Sequence, residues 1–145
     1  MKKINLLLAI LLMTPVMSFL LFAENNTTGS TIVYLHEHKN KALSSPELLT
    51  SFSSIGNVIL VFYADWCGPC RRMAPIIDSF AAHTPGYTFI RINRDQFLDL
   101  ARQFNITSIP TLIFLCDGTQ IDQYNQGPLT QNALAQLIAT TYHNR

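Results

Sequence analysis

The chain has 145 residues, with 10 Lys and Arg against 9 Asp and Glu and a formal net charge of +1. That length holds one domain of ordinary size and leaves little room for a second core. No basic patch marks nucleic acid or an anionic surface as a partner, and three cysteines cannot build a framework of several disulfides.

Residues 1–23, MKKINLLLAILLMTPVMSFLLFA, carry no acid and only two charges, Lys2 and Lys3. A basic start, an apolar run and a small residue before the polar ENNTTGS have the layout of a bacterial-type export signal peptide. A cut after Ala23 would put Leu21 at a position where a small residue is preferred. The run from Ile4 to Ala23 is also long enough to span a bilayer, so the alternative is an uncleaved inner-membrane anchor. Under both readings Lys2 and Lys3 stay on the cytoplasmic side, and the rest of the chain is expected in the periplasm or an equivalent extracytoplasmic space. Removing the leader takes the 10 basic residues to 8 against 9 acidic ones, a formal charge of −1.

Residues 24–30, ENNTTGS, read as a flexible linker, and 31–145 as the domain. TIVYL (31–35) is rich in β-branched and aromatic residues and suits a strand, after which HEHKNK is polar. Ser44 and Glu47 have capping-box spacing and predict a short helix over about 46–54. NVILVFYA (57–64) is an almost unbroken apolar run, as expected of a central strand covered on both faces. It ends directly at the cysteines of WCGPC (66–70).

Met73, Ile76, Ile77 and Phe80 then recur at helical spacing, so PCRRMAPIIDSFAAH reads as an amphipathic helix kinked at Pro75, with these apolar residues in the core. YTFIRIN (87–93) alternates as a strand and DQFLDLARQF (95–104) returns to helical spacing. Pro110 introduces the strand TLIFLC (111–116), DGT is a turn signal, QIDQY (120–124) pairs as a hairpin, and LTQNALAQLIATTY closes with a helix. The order β α β α β α β β α argues for an α/β domain with a central mixed sheet and helices on both faces.

Cys67 and Cys70 can be weighed as a staple, as half a metal site or as a redox pair. One cysteine is left over if they pair, which suits a scaffold poorly. Zinc needs about four ligands, and His36, His38, His83 and His143 do not repeat the cysteine spacing as a second pair, so no metal is expected. Redox chemistry has a mechanical reason. A C-x-x-C pair between a strand and a helix puts the first sulfur at the helix N-terminus, where unpaired amides and the helix dipole stabilise a thiolate. Cys67 is then the nucleophile. Cys70, one turn in and more enclosed, is the resolving thiol that attacks the mixed disulfide, and Gly68 and Pro69 keep the turn tight.

WCGPC after an apolar strand and before a helix with APIID resembles the active site of the thioredoxin family. IRINRD (90–95), FNITSIPTLIFLCDGT (104–119) and Gly127 resemble later segments of that family in the same order, over about residues 31–143. The resemblance implies a thioredoxin-like fold, a Cys67–Cys70 disulfide that opens and closes, and no dissociable cofactor. It makes Pro110 a cis proline lying against the cysteines, Ile109 a source of backbone hydrogen bonds to an extended substrate, and Trp66 an indole on the rim that contacts partners. Gly68 and Pro69 complete that substrate-binding rim.

Two positions depart from the family pattern. The strand aspartate six residues before the first cysteine is replaced by Val61, and its partner lysine by Arg91. Loss of the carboxylate removes the expected proton acceptor for Cys70 and also a costly buried acid. Three consequences stay open: water or Asp65 takes the proton, Cys70 resolves slowly, or the protein works where that step is not limiting. Cys116, just before DGT, reads as a small apolar-like filler or a partly exposed bystander rather than a regulatory thiol. The Asn105 sequon leads into Pro110, where a glycan would crowd the active face, which favours a bacterial exported protein over one of the endoplasmic reticulum.

The sequence therefore predicts an exported, monomeric protein-disulfide oxidoreductase that reduces disulfides in protein partners and exchanges electrons with a membrane donor or acceptor. The alternatives are a specialised reductant for cytochrome c haem attachment and a thioredoxin-fold binding or chaperone module. Val61→Asp is expected to raise the disulfide-reduction rate near neutral pH, and an unchanged or lower rate would count against carboxylate proton acceptance at that position.

Overall fold

Val58 to Phe62 are buried without interruption, which places this strand in the middle of the protein with apolar neighbours above and below. The computed structural model describes residues 31–34, 45–52 and 55–143. The segments expected to be a leader (1–23) and a linker (24–30), HEHKNK with His36 and His38, and the expected Ser44 cap lie outside the described residues.

The described elements run β1 (Thr31–Tyr34), α1 (Ser45–Ser51), β2 (Asn57–Tyr63), α2 (Gly68–His83), β3 (Tyr87–Asn93), α3 (Leu98–Gln103), β4 (Thr111–Cys116), β5 (Thr119–Tyr124) and α4 (Gln131–His143). The strands form a mixed sheet in the order β1-β3-β2-β4-β5. β1 and β2 both lie parallel to β3, whereas β4 is antiparallel to β2 and β5 antiparallel to β4.

Strand alternation sorts the core into two layers. Val58, Leu60 and Phe62 face a cluster that includes Leu49 of α1 with Phe52 just after it, and Leu100 and Ala101 of α3 with Phe104 just after it. Ile59 and Val61 face the opposite cluster, with Met73, Ile77 and Phe80 of α2 and Leu134 and Ile138 of α4. Helices therefore cover both faces of an α/β sandwich. α4 is also tied to the sheet through the Tyr142 hydroxyl, 3.0 Å from the carbonyl oxygens of Val58 and Leu115.

Two helices are shorter than the spacing predicts. The segment before Leu98 is a turn built on Asn93, whose carbonyl accepts the N–H groups of Gln96 and Phe97 and whose side chain accepts that of Asp95. Those hydrogen bonds take the place of a first helical turn. α1 stops at Ser51, where the Phe52 N–H bonds back to the Leu49 carbonyl in a tighter turn. Between β4 and β5, Asp117 and Gly118 both have positive φ, 48° and 75°, as a two-residue hairpin loop of Asp-Gly type requires.

Candidate active site

β2 ends at Tyr63 and α2 begins at Gly68, so Ala64 to Cys67 must turn the chain at the carboxyl end of that strand. The Cys67 N–H donates to the Ala64 carbonyl at 3.1 Å, which closes the turn. Cys67 is the N-cap of α2, and its sulfur accepts the Cys70 N–H at 3.1 Å. The two sulfurs form a disulfide, with Cα atoms 5.3 Å apart. When that bond is open, the same amide and the helix N-terminus favour a Cys67 thiolate.

Both cysteines are buried, Cys67 at 3% exposure and Cys70 at 7%, so the expectation that Cys70 is the more enclosed does not hold. The two share one small cluster with Ala64, Tyr63 and Ile109, which covers the bonded pair as a unit. Gly68 and Pro69 are half-buried and form the first turn of α2. A Cβ on Gly68 would meet only the Arg72 guanidinium at 3.8 Å, so the glycine leaves the rim bare rather than relieving a clash.

The segment from Ser108 to Thr111 forms the opposite wall. The Ile109–Pro110 peptide bond is cis, Ile109 packs on the cysteine cluster, and Pro110 lines a cavity together with Cys70. The buried Thr111 hydroxyl donates to the Ser108 carbonyl at 2.7 Å and holds this segment. Trp66 is 66% exposed at the rim, and its indole N–H donates to an Asp95 carboxylate oxygen at 2.7 Å.

Asp95 belongs to a polar chain that sequence reasoning did not single out. Buried Asn93 accepts the Asp95 N–H on its side-chain oxygen and donates through its amide nitrogen to Asp65 at 3.2 Å. Asn93 is the register partner of Tyr63, the last residue of β2. A polar residue at the carboxyl end of a strand parallel to the one that delivers the cysteines was the signal available, because such strand ends collect site residues.

Behind Cys70 is a cavity of about 220 Å³ lined by Val61, Asp65, Arg71, Ala74, Arg91 and Pro110 among others. Val61 is buried, and its register partner across the parallel pair is Arg91. Arg91 is turned toward α2, where its guanidinium donates to the Ala74 carbonyl at 2.9 Å and pairs with the Asp78 carboxylate.

Cys116 is half-buried at the other end of the sheet, paired in register with Asn57, the first residue of β2. That separates it from the redox end by the length of a seven-residue strand, roughly 20 Å. His83 and His143 sit in the last turns of α2 and α4, each donating through Nδ1 to a carbonyl four residues earlier.

A buried disulfide between cysteines three residues apart at a helix N-terminus, walled by a cis proline and rimmed by an exposed indole, defines a dithiol–disulfide centre. The thioredoxin family model matches residues 43–140. The chain is 42% identical over 77 residues to thioredoxin of Chlamydia pneumoniae, covering 53% of this chain and 76% of that one. It is 38% identical over 85 residues to a peptide-N(4)-(N-acetyl-beta-glucosaminyl)asparagine amidase of Caenorhabditis elegans, where the match spans 59% of this chain and only 14% of the relative. The solution structure of oxidised thioredoxin from Plasmodium falciparum superposes with a TM-score of 0.61 at 28% identity, covering 76% of this chain and 97% of that one. The chain belongs to the thioredoxin family and is a thiol-disulfide oxidoreductase.

The Arg91–Asp78 pair has one largely buried and one half-exposed partner, with side-chain exposures of 10% and 50%. Removing the acid leaves a cation in the interior. Asp78→Ala is expected to lower stability by about 1–2 kcal/mol, below the range for a fully buried pair, and Arg91→Met in that background to recover part of the loss. Urea unfolding of the parent and the two variants measures both changes.

Proposed function

We propose that this protein is an exported disulfide reductase that acts on protein partners. The observation that carries the reading is the Cys67–Cys70 disulfide in a Gly-Pro turn, set between the exposed Trp66 and the cis Pro110. A buried pair flanked by an exposed flat aromatic and a backbone wall accepts an extended peptide better than a small rigid molecule. Trp66, Gly68 and Pro69 form one side of that site, and Ile109 and Pro110 the other. In this role Cys67 attacks the substrate disulfide and Cys70 resolves the mixed disulfide, so no dissociable cofactor takes part.

The direction rests on the Gly68-Pro69 dipeptide, which resembles reducing members of the family. The extracytoplasmic location rests on the basic-then-apolar start of the chain, with Lys2 and Lys3 retained inside. A reductase outside the cytoplasm has no soluble thiol pool to draw on, so a membrane electron donor is its expected partner.

Insulin reduction by the wild type is expected to be lost in both Cys67→Ser and Cys70→Ser, and equilibration with glutathione to place the pair nearer about −270 mV than about −120 mV. A potential at the oxidising end overturns the reducing direction. Partner binding without wild-type turnover identifies a binding module instead. Fractionation of cells producing the full chain is expected to place it in the periplasm or on the outer side of the inner membrane, and recovery from the cytoplasm removes the export assignment.

A further inference from the structure

The cavity behind Cys70 carries a consequence for the second half of the reaction. Val61 provides no carboxylate there, yet a polar boundary remains. Asp65 and Cys70 line the same cavity of about 220 Å³, which has room for several water molecules. The Asp65 carboxylate is held by the Asn93 amide at 3.2 Å, and its main-chain oxygen accepts the Arg71 guanidinium at 2.8 Å, so the residue is fixed at the mouth. Asp65 is exposed, so a proton that reaches it passes on to bulk solvent.

We infer that Asp65 is the proton acceptor for Cys70, reached through water in this cavity, in place of an acid on β2. The inference deepens the reductase reading. After Cys67 has attacked, its sulfur is bonded to the substrate and the first substrate sulfur has left as a thiolate. Cys70 then gives its proton to cavity water, and that water gives one to the Asp65 carboxylate. The Cys70 thiolate attacks the Cys67 sulfur, the bond from Cys67 to the substrate breaks, and the electron pair leaves on the second substrate sulfur. The substrate gains two electrons, its thiolates take up two protons from solvent and Asp65, and the Cys67–Cys70 disulfide forms.

The charges around this path suit the direction of proton flow. Arg71 of α2 and Arg91 of β3 line the cavity with Asp65 and favour thiolate formation at Cys70. Arg91 is balanced by Asp78 on the helix side. Asp95, beyond Asn93, is engaged by Trp66 and lies 3.8 Å from the Arg94 guanidinium. Asp65 is the acidic residue among those lining the cavity, and that placement distinguishes it from its acidic neighbours.

The test is a single turnover of the reduced full chain with oxidised glutathione, quenched with acid so that the mixed disulfide on Cys67 is counted. Asp65→Asn is expected to leave mixed-disulfide formation within about twofold and to slow its resolution about 10–100-fold near pH 7. In the wild type resolution should change little between about pH 6 and 8. In the variant it should climb with pH, because hydroxide must remove the thiol proton. Val61→Asp in the Asp65→Asn background is expected to restore most of the resolution rate near pH 7, a rescue that a merely structural role would not give. Val61→Met, which narrows the cavity and keeps Asp65, is expected to slow resolution as well, and it tests the water path should Asp65→Asn fold poorly. Wild-type resolution in Asp65→Asn or in Val61→Met overturns the proposal, as does equal slowing of both steps. The potential of the same preparation separates this from the direction of exchange: an oxidising value removes the reductase reading and leaves the resolving step measured from a reduced start.

Discussion

The Cys70 N–H reaches the Cys67 sulfur at 3.1 Å, and most of the architecture serves to keep those two groups together. The contact needs a strand that stops at Tyr63, a turn closed on the Ala64 carbonyl, and a helix whose first turn offers the Cys70 amide to the sulfur. β2 can hold its end in place because it is the inner strand between β3 and β4, buried above and below. Displacing it would disturb both hydrophobic layers at once. The backbone that carries the sulfurs is thereby anchored in the core.

A central position also imposes a cost on any polar group placed along that strand. A carboxylate at position 61 would lie in the layer of Met73, Ile77 and Phe89, and ionising it there is unfavourable unless a cation compensates. The chain has valine at this point, and the neighbouring cation Arg91 takes its carboxylate from α2 instead. The ion pair lies at the strand–helix boundary, where Asp78 is half exposed and desolvation is smaller than it would be within the sheet. The result keeps Arg91 beside the cavity as a fixed positive charge without an acid on β2 next to it.

How much of this was visible beforehand depended on whether a feature is local. The unbroken apolar run of β2 and the helical spacing of Met73, Ile77 and Phe80 gave the central strand and the helix behind it, because burial on a strand or one helix face writes a period into the chain. WCGPC located the sulfurs because the motif is contiguous in the chain. The start of α3 was misjudged, since Asn93 builds a turn with Asp95, Gln96 and Phe97 that hydrophobic period cannot reveal. The link from Trp66 through Asp95 and Asn93 to Asp65 was invisible as a unit, because its members are 28 and 29 residues apart and meet only when β2 and β3 pair. Which cysteine is the more enclosed was also not a sequence property, for the Ile109 wall that covers both comes from a distant segment.

That polar link joins the exposed rim to the cavity mouth. Trp66 is the most exposed of the large apolar side chains in the described residues, so a protein partner docking on this face would touch it early. Its indole is hydrogen-bonded to Asp95, and Asn93 joins Asp95 to Asp65 at the cavity mouth. Asn93 is a neutral amide that donates to the Asp65 carboxylate while its oxygen accepts the Asp95 N–H. A charged group at that buried point would have to choose between the two, whereas the amide holds both sides of the site at once.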